Sequence, residues 1–163
     1  YRSIAMGVLG KAFRESSRPV EALPVLEVNL ALIRRYWSHD GIGILTAQSN
    51  LATCLGDLGR HDEALVLKRE IYARRVAMGG AADGIVLAGG ILSSALTTSG
   101  RFAEAKTLLR DEMLPMARQS LGPTHGFCMD TEEWLAEALR MDPNATRDDL
   151  REAETIMQDV LQR

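Results

Sequence analysis

The fragment Gly-Arg-His-Asp-Glu-Ala at 59–64 returns 41 residues later as Gly-Arg-Phe-Ala-Glu-Ala at 100–105. A fixed period constrains a fold more tightly than any single motif, because every copy has to become the same supersecondary unit. The alanine of the Glu-Ala pair serves as a marker. It recurs at Ala22, Ala64, Ala105 and Ala153, at intervals of 42, 41 and 48 residues. Twelve residues before each of the first three stands another small residue, Gly10, Ala52 or Ser93, directly after Leu9, Leu51 or Leu92. In the fourth unit Leu135-Ala136 supplies the pair, and the insertion Met-Asp-Pro-Asn-Ala-Thr-Arg-Asp-Asp at 141–149 accounts for the longer interval.

Close helix packing explains this pattern. Small residues let two helix backbones approach, and the adjacent leucine fills the gap between one pair and the next. Apolar residues continue at helical spacing, as Leu51, Leu55 and Leu58 in one unit and Leu92, Ala95 and Leu96 in the next. Gly59 and Gly100 fall where the first helix of each pair must stop, since glycine accepts the left-handed conformation of a helix end. Each unit therefore reads as a helix, a tight turn and a longer helix. The expected pairs are 3–16 with 19–36, 43–58 with 61–77, 84–99 with 102–120, and 128–141 with 147–162. Pro19 suits an early helical position and Pro24 a tolerated kink. The stretches 38–43, 78–84 and 121–127 read as turns between units. Ala and Leu dominate and aromatics make up only 5% of the chain, which favours helix over sheet. The expected fold class is all-α, an array of about four helical hairpins.

Composition narrows the function. No apolar run nears the ~20 residues that a membrane span needs. Cys54 and Cys128 sit in hydrophobic stretches without metal or redox spacing, so a reducing, cytoplasmic setting is expected. The first 81 residues carry 11 Lys/Arg against 8 Asp/Glu, and the remaining 82 carry 8 against 14. This polarity suits end-to-end contacts and is too mild for a nucleic-acid partner. The chain opens on Tyr1 rather than Met and reads as a piece of a longer protein.

With its period near 42 and the Leu-Gly-x-x-His ending at Leu121, Gly122 and His125, the chain resembles a tetratricopeptide repeat array. The longer repeats of the kinesin light chain are the particular likeness, and residues 46–75 carry it best, with Asn50-Leu51-Ala52, Gly59 and Glu63-Ala64. The resemblance implies one right-handed superhelical array over 1–163, with repeats at about 3–37, 44–78, 85–120 and 128–163. The third repeat departs from the pattern at Gly89–Leu96, and the fourth carries the insertion. In such arrays the first helices line a concave groove. The positions carried over are Ile4, Val8 and Lys11; Thr46, Asn50 and Thr53; Leu87, Ile91 and Ser94; and Asp130, Trp134 and Glu137. Asn50 matches a position that the resemblance implies can hold a peptide backbone, for which an amide offers both donor and acceptor. A related subgroup grips a terminal carboxylate at positions that here read Gly7, Lys11, Asn50, Leu87 and Ile91. Only one of these has the family's residue, so a clamp of that kind is not expected. Leu87 and Ile91 instead supply an apolar wall suited to a short motif with hydrophobic anchors, and Trp134 reads as an anchor or as core.

Catalytic and metal chemistry is not expected. His39, His61 and His125 all fall in or beside turns spaced along the array, which argues against a shared metal ion. Cys54 lies on an apolar helix face, where a buried thiol is the plain reading. The glycine-rich stretches lack the Gly-Lys-Ser/Thr of a phosphate loop, and no cofactor is expected. Glu132-Glu133 and Asp148-Asp149 read as acids at helix starts, and Arg34-Arg35 and Arg74-Arg75 as cations at helix ends. The expected function is a non-catalytic scaffold that binds a peptide or partner helix in its groove. The rival readings are self-association through exposed array ends, and a regulatory segment of a larger ATPase or enzyme.

Overall fold

The computed structural model describes residues 2–36 and 41–162, with only the backbone of Arg2. Trp37, at the end of the first expected repeat, and His39, in the turn that follows, lie outside the described residues. All regular structure described is helical: α1 (Arg2–Glu15), α2 (Pro19–Tyr36), α3 (Gly41–Asp57), α4 (His61–Ala77), α5 (Ala82–Thr98), α6 (Phe102–Thr107), a π-helical stretch (Leu108–Met113), α7 (Leu114–Ser120), α8 (Gly126–Met141) and α9 (Arg147–Gln162). The expected helices agree with these to within two residues. Three first helices begin earlier than expected, so Gly41–Gly43, Ala82–Gly84 and Gly126–Phe127 are helix rather than turn. The expected rod 102–120 is interrupted by the π-helical stretch.

The chain forms two compact units, residues 1–71 and 72–163. In the first, the core gathers Ala22, Leu26, Leu30 and Ile33 of α2, Ile44, Ala47, Leu51, Cys54 and Leu55 of α3, and Ala64 of α4. Gly10 shows why a small residue is needed: a Cβ there would lie 2.5 Å from Cδ2 of the fully buried Leu26. The rest of the small-residue set is buried too, at 6% exposure or less: Ala22, Ala52, Ala64, Ser93, Ala105, Ala136 and Ala153. Leu51, Leu92 and Leu135 fill gaps beside them, but Leu9 is 47% exposed, contrary to expectation. No described hairpin lies on that side of α1 to cover it.

The hairpin corners share one construction. Gly59 and Gly100 adopt φ of 75° and 72°. The amide of the arginine that follows donates five residues back, Arg60 to Leu55 O and Arg101 to Leu96 O, each at 2.8 Å. The glycine amide donates three residues back, closing a Schellman turn. The arginine carbonyl then accepts the first bond of the next helix from Ala64 or Ala105, and its guanidinium pairs with Glu63 or Glu104. The first corner repeats every element. Arg18 N donates to Phe13 O at 2.9 Å, Ala22 N donates to Arg18 O, and Arg18 pairs with Glu21. There the left-handed position is held by Ser17, with φ 58°. Gly-Arg-x-x-Glu-Ala is thus a helix stop, a helix start and a buried contact written in six residues.

In the second unit the π-helical stretch lets Leu108, Leu109 and Met113 all turn into the core. Met113 reaches α5 at Gly89, where a Cβ would stand 2.4 Å from its Sδ. The phenol of Tyr72 donates to Glu112 at 3.1 Å. Desolvation, followed by that carboxylate, pushes its pKa up to about 12. The fourth corner uses other means. Thr146 and Asp149 form a reciprocal cap, Thr146 N to Asp149 Oδ2 at 3.0 Å and Asp149 N to Thr146 Oγ1 at 3.1 Å. Lys106 crosses from α6 to reach Asp142 at 2.8 Å and Asp149 at 3.6 Å. These side chains are only 10–17% exposed, so the triad is screened less than a surface pair. The Lys106 hydrogen bond lowers the Asp142 pKa, and the Thr146 amide lowers that of Asp149. Glu132 is not a helix-start acid as expected. It is 2% exposed and accepts from Arg118 at 2.8 Å.

Two outcomes follow from these corners. Ser17→Gly relieves the left-handed strain of an L residue and raises stability by about 0.5–1 kcal/mol, read from the midpoint of urea unfolding; an unchanged or lower midpoint contradicts the account. The depressed carboxylates of the triad make stability present above the ordinary aspartate value of 3.8. That contribution is lost as pH falls through their lower folded values. The unfolding midpoint of Lys106→Met therefore depends less on pH across the acid range than that of the wild type.

Candidate functional site

In the first unit, α1 and α3 stand side by side over the inner face of α2 and leave a groove of about 580 Å³. This volume falls within the ~300–1,000 Å³ usual for binding clefts. Ile4 and Val8 of α1, Ile33 of α2 and Ala47 of α3 form its apolar walls, and among the described side chains Lys11 is the one charge that lines it. Thr46 and Asn50 line it from α3. Of the expected groove residues, it therefore brings together Ile4, Val8, Lys11, Thr46 and Asn50. Ile4 and Val8 are 71% and 64% exposed, a large apolar surface for a single helix to leave open.

Polar groups inside the groove differ in what they can offer. The Thr46 hydroxyl donates to Ile42 O at 3.0 Å, which leaves its oxygen only as an acceptor, while Thr53, expected in the groove, is exposed outside it and donates to Ser49 O at 2.9 Å. Lys11 meets Glu15 at 3.6 Å in an exposed i,i+4 pair, an interaction worth only a few tenths of a kcal/mol and easily exchanged, on the order of 0.3–0.5. The Asn50 amide has no hydrogen-bond partner among the described residues. Sequence reasoning missed Asn29, which is 3% exposed and also lines the groove. Its signal was present: 22, 26, 29, 30 and 33 form the buried stripe of α2, and one member is an amide. Ser3 Oγ donates to Asn29 Oδ1 at 2.9 Å.

In the second unit the expected residues separate. Leu87 and Ile91 stand 50% and 44% exposed on α5, with Ser94 exposed on the same helix. Trp134 is half-buried because its indole lies on Gly90, where a Cβ would come within 2.3 Å of the ring. Its other side joins Glu133, Glu137 and Arg140 of α8 with Leu150, Met157 and Leu161 of α9 around a depression of about 810 Å³. Asp130 is half-buried. Trp134 thus serves both readings, packed against α5 and open to that depression.

The two cysteines, Cys54 and Cys128, are fully buried, as their apolar stretches led us to expect, and desolvation raises the Cys54 thiol pKa. The Cys54 thiol donates to Pro19 O at 3.3 Å. His125 caps α8, its Nδ1 accepting from Phe127 N at 3.3 Å. Among the described residues no three His, Cys, Asp or Glu converge on a possible metal site, and no helix is long and apolar enough to cross a membrane.

No family model matches the chain, and no curated protein matches it in sequence. Solved structures do match. One is a protein from Podosopora anserina described as a kinesin light chain with nearly identical TPR-like repeats. It is 19% identical over 99% of this chain and 75% of its own, with a TM-score of 0.78. Another is BtubC (BKLC) from P. vanneervenii, 14% identical over 96% of this chain and 60% of its own, with a TM-score of 0.76. At such identities the likeness concerns the fold: this chain is an all-α, tetratricopeptide-like solenoid of helical hairpins, as the repeat spacing led us to expect.

Proposed function

We propose that the protein is a non-catalytic interaction scaffold of the cytoplasm whose groove takes a peptide or a helix of a partner protein. The observation that supports this best is the pairing, in the first unit, of open apolar walls at Ile4 and Val8 with an Asn50 amide that has no partner among the described residues. Apolar walls supply affinity by burial. A free amide in their midst can satisfy a main chain that would otherwise lose its hydrogen bonds to water. Leu87 and Ile91 extend the list of open apolar residues on first helices, and their role here is anchoring a ligand side chain. A pull-down from a peptide library compares wild type with Asn50→Ala and Val8→Asp. Both variants lose peptide while keeping helical circular dichroism; retention by both overturns the groove reading.

A second reading has its own observation. Leu150, Met157 and Leu161 of α9 are 43–82% exposed around the larger depression, and such a face suits self-association. In that case the mass from light scattering rises with concentration, and Leu161→Asp abolishes the rise. A mass independent of concentration removes this reading.

A further inference from the structure

We infer that Asn29 is a second binding asparagine, and that with Asn50 it forms a hydrogen-bonding slot over Gly7 for the main-chain carbonyl of an extended, acidic, aliphatic peptide. This rests on the groove reading above and adds to it the contacts, the ligand chemistry and the register.

Asn29 is 97% buried by difference from its 3% exposure, in a helix face otherwise made of Ala22, Leu26, Leu30 and Ile33. A buried amide must find partners for both its ends. Its oxygen does, from the Ser3 hydroxyl at 2.9 Å. Among the described residues its nitrogen does not, and that nitrogen points to the groove floor at Gly7. A Cβ built on Gly7 would lie 3.3 Å from Asn29 Nδ2 and 4.0 Å from Asn50 Nδ2. Two amide donors, one from α2 and one from α3, therefore flank the spot on α1 where a side chain is missing. That spot is open to the groove and wants an acceptor.

An isolated oxyanion would satisfy the donors, but the surroundings are wrong for one. Ile4, Val8, Ile33 and Ala47 make the walls apolar, and Lys11 is the one charge among the described side chains that line them. A neutral carbonyl carried by an aliphatic residue fits both. From Ser3 to Lys11 the groove follows α1 for about 12 Å, the length of roughly four residues of extended chain. Lys11 stands one helical turn beyond Gly7, so it meets a ligand side chain about two residues along from the bound carbonyl. An aspartate or glutamate there exchanges Lys11's weak pairing with Glu15 for a charge partner inside the groove.

The test uses blocked short peptides with leucine at one position and either aspartate or lysine two residues away, measured by fluorescence anisotropy against four variants. Wild type prefers the aspartate series. Gly7→Ala, a change that favours the helix, puts a methyl beside the two amide nitrogens, where it crowds the carbonyl that approaches them over Gly7. It weakens binding about tenfold or more, the scale of a lost hydrogen bond plus displacement of the acceptor. Asn29→Ala weakens it comparably with its circular dichroism unchanged, and Lys11→Glu reverses the preference to the lysine series. If Asn50→Ala loses binding while Gly7→Ala and Asn29→Ala keep it, the slot is wrong and the groove stands. If wild type binds neither series, both readings fall.

Discussion

Backbone-to-backbone approach at the helix crossings governs everything else in this protein. Gly10, Ala52, Ser93 and Ala136 on the first helices, with Ala22, Ala64, Ala105 and Ala153 on the second, occupy the points where a larger side chain would hold two helices apart. A leucine or valine at such a point costs about 1–3 kcal/mol by overpacking. Because the same point recurs in every hairpin, the constraint shows in the sequence as a period. The positions of the corners and the burial of the flanking leucines follow from it.

That is why the fold could be read before the structure. Size is written directly in the residue type, and the period tells which sizes are coupled. The corners were half legible: glycine announces a positive φ, but Ser17 does the same work without announcing it. Residue type says nothing of the motif's arginine, whose backbone ends one helix and begins the next. The π-helical stretch left no trace in the pattern, since one widened turn keeps the apolar content of its segment. Glu132 was misread because its helix starts two residues earlier than expected, at Gly126, which puts it seventh in the helix, on the buried face beside Arg118.

Legibility of the site was poorer, for a physical reason. A groove is defined by what is left open, and openness depends on neighbours from distant parts of the chain. The resemblance implied Ile4, Val8, Lys11, Thr46, Asn50 and Thr53 as groove positions of the first two hairpins, and all but Thr53 line one cleft. It could not tell that the hydroxyls of Thr46 and Thr53 are spent on their own helix. Nor could it tell that Trp134 would lie down on Gly90. Asn29 escaped notice because it sits on a second helix, where polar residues pass for solvent-facing ones until burial is known.

The adjacent Gly89 and Gly90 make room for Met113 and Trp134, and in doing so deprive α5 of autonomy. Each glycine weakens an isolated helix by about 1 kcal/mol relative to alanine, so the pair together offsets much of what the flanking Leu87, Ala88 and Leu92 contribute. This helix can persist only once a thioether and an indole from elsewhere in its unit have docked. Repeat arrays ordinarily fray from their ends, one hairpin after another. Here the third hairpin is tied to the fourth in a single cooperative event, so the second unit melts as one block.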